Sequence, residues 1–162
     1  MTKLITTLLT LFILSLGLNC HAGLEDLFER KLAAAHTGDA EAQYDVGYRY
    51  EKGRGVDEDD EKAFSWYQKS ANQGLNKGQY KVGIFYLKGV GVDADLQQAQ
   101  TWLQKAASQN YPPAQYRLGK LLASNKIEDP DLELALEWLE KAESNGYEPA
   151  IKAVRKVKKQ LN

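Results

Sequence analysis

The chain of 162 residues has one cysteine, two histidines and no excess of either charge, with 21 basic and 22 acidic residues. Each shortage removes a class of function. One cysteine, Cys20, cannot build a disulfide framework. The near balance of charge gives no electrostatic footprint for nucleic acid. Long apolar runs are missing too, except for "LITTLLTLFILSLGL" from Leu4 to Leu18, which follows Lys3 and precedes small and polar residues ending in Cys20, His21 and Ala22. That run of 15 residues falls below the roughly 20 that span a bilayer, and its layout is that of a secretory signal peptide. Cleavage is expected between Ala22 and Gly23, leaving residues 23–162 as a periplasmic or secreted chain with no membrane span. Lipidation at Cys20 is the competing reading, although Asn19 stands where such signals favour a small residue.

Without residues 1–22 the chain keeps no thiol and one histidine, His36, and no serine is followed three residues on by lysine. A nucleophile–base pair therefore has no candidates, and a lone histidine near a helix end is read as a capping or surface residue. No metal-ligand spacing is present, and no cofactor is expected. Glu133, Glu137 and Glu140 read as one solvated helix face rather than an acid/base pair.

The most suggestive short stretch is "GRGVDEDDEKA", Gly53 to Ala63, with two glycines and five consecutive acids from Asp57 to Glu61. A helix–loop–helix calcium site needs glycine at the sixth loop position and glutamate at the twelfth. Counted from Asp57 these are Lys62 and Gln68, so the pattern fails. A phosphate loop needs a preceding strand and a following lysine or helix start, whereas acids follow here and would repel phosphate.

What the chain does have is a repeat. Segments starting at Gln43, Gln79 and Gln115 align without a gap at a spacing of 36 residues. Tyr44, Tyr80 and Tyr116 correspond, as do Gly47, Gly83 and Gly119; Ala63, Ala99 and Ala135; Trp66, Trp102 and Trp138; and Lys69, Lys105 and Lys141. Apolar spacings of three and four predict two helices per unit, about 40–52 and 59–73 in the first, with Gly53 and Gly55 between them and Gly74 after the second. Glycine inside a helix costs about 1 kcal/mol against alanine, so the in-phase Gly47, Gly83 and Gly119 imply close approach of the partner helix. Asp59, Asp95 and Asp131 fall where an N-cap would accept a backbone N–H. The tryptophans, in phase with Ala63, Ala99 and Ala135, are assigned to the seams between units rather than to a stacking ladder for sugars or bases.

The array is expected to extend through a half-unit over 24–38, repeats at about 39–74, 75–110 and 111–146, and a capping helix at 149–161. That last helix carries Lys152, Arg155, Lys156, Lys158 and Lys159 and no acid.

"AEAQYDVGYRYEKGRGVDEDDEKAFSWYQKSANQG" and "YLKGVGVDADLQQAQTWLQKAASQN" resemble the Sel1-like repeat, a relative of the tetratricopeptide repeat with a longer loop between its helices. The third unit departs from the pattern at Asn125 and Ile127, where the other two have glycines. The resemblance implies an all-α, right-handed solenoid that binds a protein or peptide in a concave groove lined by the first helices. Carried over residue by residue, that groove takes Glu41, Tyr44, Tyr48, Glu51 and Lys52 from unit one and Lys77, Tyr80, Ile84, Leu87 and Lys88 from unit two. Unit three adds Tyr116 and Lys120, and the last helix adds Lys152 and Lys156. Tyr48, Ile84 and Leu87 stand out, because packing within a unit does not call for them and interfaces use such anchors. The resemblance also implies a non-catalytic role in the cell envelope, as an adaptor or regulator or as an immunity protein against a secreted toxin. A hydrolase acting on cell wall or β-lactams is the alternative, but the cysteine-rich framework of such relatives is missing.

Overall fold

The structure, a computed structural model, describes residues 23–127 and 129–162. The expected signal peptide and Cys20 lie outside the described residues. Among the described residues there is no strand. Helices follow one another as α1 (23–36), α2 (Ala40–Lys52), α3 (Asp60–Asn72), α4 (Asn76–Lys88), α5 (Leu96–Ser108), α6 (Pro112–Leu122), α7 (Leu132–Ser144) and α8 (Pro149–Leu161). From α2 onward each packs on its neighbours in sequence, so the chain is an all-α solenoid whose core is passed from unit to unit.

Aspartates set where several helices begin. Asp59, Asp95 and Asp131 have extended backbone and accept, through Oδ1, from the N–H of Lys62, Gln98 and Leu134 at 2.8 to 2.9 Å. Asp39 does the same for α2 through Ala42 N–H at 2.8 Å, a cap that the in-phase comparison did not single out. Two of the remaining starts, α6 and α8, carry Pro112 and Pro149 in the first turn, where no N–H is needed.

Within each unit the first helix is pressed onto the second at its glycine. A Cβ on Gly47 would meet the Tyr67 ring at 2.8 Å, and one on Gly83 would meet Leu103 Cγ at 2.8 Å. At Gly119 the obstacles are Leu139 Cγ at 2.7 Å and the Ala135 carbonyl oxygen at 2.8 Å. The helical penalty of glycine is thus offset by the contact it permits.

Between units the seam is polar at its centre. Gln43, Gln79 and Gln115 are buried, and each donates Nε2 to a carbonyl at the end of the preceding second helix: Ala35, Ala71 and Ala107, at 3.1, 3.4 and 3.2 Å. Each Oε1 accepts from the side-chain amide of Gln73, Gln109 or Asn145 at 2.7 to 3.0 Å, thirty residues further on. One amide therefore ties three consecutive helices. Around it lies the apolar seam: Trp66 with Ala35, Ala42 and Val46, Trp102 with Ala63, Tyr67 and Val82, and Trp138 with Ala99, Ala107 and Leu118. Lys69, Lys105 and Lys141 lie over these rings at 3.7, 3.8 and 4.3 Å, a cation–π arrangement that accounts for the in-phase Trp and Lys three residues apart.

The loop glycines have two duties. Gly55 and Gly91 are left-handed, at φ 76° and 61°, and a Cβ on either would overlap a carbonyl in the first turn of the preceding second helix, that of Leu24 or Asp60. The third loop is built differently. Its first helix stops at Leu122, and neither Asn125 nor Ile127 has a positive φ.

Two substitutions separate these contributions in urea denaturation. Gln115→Leu leaves the Ala107 carbonyl and the Asn145 amide without their partner and is expected to cost about 1–3 kcal/mol per orphaned group. Gly119→Ala is expected to cost about 1–3 kcal/mol despite its better helix propensity. Exposed Gln97→Leu is expected to be near neutral.

Candidate interaction groove

The first helices α2, α4, α6 and α8 place residues 36 apart on one wall: Tyr44, Tyr80, Tyr116 and Lys152 in one row, and Tyr48, Ile84, Lys120 and Lys156 in the next. Two pockets open along this wall. One, about 320 Å³, spans α2 and α4 and is lined by Glu51, Lys52, Tyr80, Ile84 and Lys88, with Glu58, Asp60, Lys81 and Arg117 around them. The other, about 830 Å³, spans α6 and α8 and is lined by Tyr116, Lys120, Lys152 and Lys156, with Glu148, Ile151 and Arg155. The remaining expected groove residues lie outside both. Glu41 pairs with Lys77 at 3.4 Å across α2 and α4, the Tyr44 ring packs 5.4 Å from that of Tyr67, and the Tyr48 ring carries Arg54 at 5.2 Å.

The expectation was that packing within a unit does not call for Tyr48, Ile84 and Leu87, and the structure gives all three a place in the packing. All three are half-buried, Tyr48 against the apolar cluster of Tyr67 and Phe85, and Ile84 and Leu87 against that of Leu103 and Leu118. The wall of first helices is itself part of the seam between units, so its aromatic and aliphatic side chains serve the core as well as the surface.

At the mouth of the smaller pocket Glu51 holds together groups from three helices. Its Oε2 accepts from the Tyr67 hydroxyl at 2.6 Å and pairs with Lys81 Nζ at 2.6 Å, while Oε1 meets Lys52 Nζ at 3.0 Å. The Glu51 and Lys81 side chains keep only 16% and 19% of their exposure, so this is a mostly desolvated pair rather than a surface one. Burial pushes the Glu51 carboxyl up, but hydrogen bonds from Lys81, Tyr67 and Lys52 outweigh it and hold it below its ordinary value. Burial, reinforced by the Glu51 bond, raises the Tyr67 hydroxyl far above its ordinary range. Burial, with neighbouring Tyr111 next in effect, pushes Tyr44 up to about 12. Tyr67 and Lys81 were missed in the sequence reading. The available signal was a break in phase, because Leu87 and Ala123 follow Glu51 at the 36-residue spacing, and Leu103 and Leu139 follow Tyr67.

The acidic run now divides by role. Asp59 is the N-cap and also pairs with Lys62 at 2.9 Å. Glu58 and Asp60 line the smaller pocket with Lys52 and Lys88, and Asp57 and Glu61 are exposed.

Because Glu51 is depressed in the folded chain, its contribution to stability is complete above its unfolded value of 4.5 and is lost as pH falls through the lower folded value. Thermal melts are expected to show a fall in stability below about pH 4.5 that is shallower in Glu51→Gln, and that variant is expected to be less stable than the parent at pH 7.

The model of the Sel1 repeat matches residues 40–75, 76–111 and 112–147. A Sel1 repeat protein from Oxalobacter formigenes is similar in structure with a TM-score of 0.71 and 31% identity, over 83% of this chain and 58% of that one. A protective antigen with the same repeat fold, c5321 of uropathogenic Escherichia coli, superposes with a TM-score of 0.76 at 27% identity, over 83% of this chain and 32% of that one. In sequence, 46 residues are 44% identical to the chitin synthase regulator SKT5 of Saccharomyces cerevisiae, covering 28% of this chain and 7% of that protein. This chain thus spans little more than half of the first solved structure and a small part of the other two proteins. Sel1 repeats generally mediate protein–protein interaction, and with three of them matched across most of its length, the chain belongs to the Sel1 repeat family.

Proposed function

We propose that this protein is a non-catalytic binding module of the bacterial cell envelope that holds a partner protein along the wall of its first helices. The observation that carries this reading is the pair of pockets on α2–α4 and α6–α8, which mix aromatic, aliphatic and charged side chains. Such surfaces, with apolar anchors inside a polar rim, suit a protein partner. Export rests on the layout of residues 1–22, and the description of the Escherichia coli neighbour as a protective antigen is in keeping with it. Holding another protein serves equally in assembling or regulating an envelope complex and in blocking a toxic secreted enzyme. A neighbouring gene for a secreted phospholipase or nuclease would assign the blocking role.

Lys88 is exposed, lines the smaller pocket and has no ion pair among the described residues, so it tests the reading without threatening the fold. Affinity capture from periplasmic extract, read by quantitative mass spectrometry, is expected to recover a partner whose yield falls by about ten-fold or more in Lys88→Glu, with the melting temperature unchanged. Equal recovery by parent and variant would count against the groove.

A further inference from the structure

The two ends of the groove differ in how their cations are matched. Toward α2 three lysines of the wall have an ion pair, Lys77 with Glu41 and Lys81 and Lys52 with Glu51, and Lys88 shares its pocket with Glu58 and Asp60. Toward α8, none of Lys120, Lys152, Arg155 and Lys156 has an ion-pair partner among the described residues. The acid that lines this end is Glu148, at the start of α8. A carboxylate is the group that lysine ammonium groups and the planar fork of Arg155 fit best.

The phase of the repeat shows that this charge is not required by the fold. Lys152 stands where the other first helices have Tyr44, Tyr80 and Tyr116, and Lys156 stands where Tyr48 and Ile84 do. Arg155 takes the position of Gly47, Gly83 and Gly119. Between these cations the pocket keeps an apolar floor in Tyr116 and Ile151.

Resting on the reading of the groove as a partner-binding surface, we propose that its α6–α8 end takes an acidic, extended segment of the partner protein, with carboxylates on Lys120, Lys152 and Lys156 and an apolar side chain on Tyr116. A flat anionic membrane could not follow a recess between two helices. A nucleic acid would run its phosphates past Glu148 at one end and Glu58 and Asp60 further along the wall, whereas a short peptide need touch only the cationic end.

The test is fluorescence anisotropy with the chain over residues 23–162 and a short labelled peptide of Glu and Asp with one central Leu, set against its Gln and Asn counterpart. At low salt the acidic peptide is expected to bind about ten-fold tighter or more, and the difference is expected to shrink as salt is raised. Lys152→Glu with Lys156→Glu is expected to abolish the difference while leaving the melting temperature unchanged, and Lys77→Glu, at the other end, is expected to leave it intact. Equal binding of the two peptides would overturn the proposal, as would equal sensitivity to Lys77→Glu. A salt-sensitive dimer in sedimentation that the same double variant dissolves would also overturn it, by making a second copy the occupant. Should a captured partner be lost from Lys88→Glu but retained by Lys152→Glu, Lys156→Glu, the binding-module reading would survive and this assignment would not.

Discussion

In a solenoid of short helices each unit touches mainly its neighbours, so everything depends on how each unit is keyed to the next. In this protein the key is the buried amide of Gln43, Gln79 and Gln115, which joins the end of one second helix to the end of the following one. An apolar seam alone would let neighbouring helices slide, because dispersion contacts are not directional. A buried amide has to meet both a carbonyl and a donor in one geometry, and any slip orphans both. The tryptophans and alanines then supply the area, and the spine supplies the register.

From that register the wall of first helices follows, with its rows of residues 36 apart. The rows are not uniform, and their departures carry the functional content. Between the first and second units Glu51, Tyr67 and Lys81 form a half-buried polar knot, where the in-phase positions further on hold Leu87, Leu103, Arg117 and Leu139. At the far end the tyrosine row closes on Lys152 and the glycine position on Arg155. One repeated scaffold therefore presents a charge-matched end and a cationic end.

Much of the fold was legible because the repeat prints each constraint three times. Asp59, Asp95 and Asp131 announced caps, and Gly47, Gly83 and Gly119 announced close approach, since a costly residue recurring in phase needs a packing reason. The glutamine spine was harder to read. Gln43, Gln79 and Gln115 are in phase, but their partners are carbonyls of alanines and amides that vary between Gln and Asn, and burial of an amide leaves no mark in composition. The groove was the least legible part. Tyr48 and Leu87 looked free of packing duties within a unit, but each packs on a cluster that joins residues of its own unit to those of the next, which a reading made one repeat at a time does not see whole. The Glu51 knot occurs once, so comparison among repeats exposed it only as an irregularity.

The central claim is that the wall of first helices, not the outer face of second helices, meets the partner. Lys120 on α6 and Glu137 on α7 are both exposed and belong to the same unit, which makes them a matched pair of probe sites. With a photo-crosslinking benzophenone side chain placed at one or the other in cells that make the protein, the account predicts a discrete adduct with one protein from position 120 and none from 137. Adducts from 137 with none from 120 would contradict it.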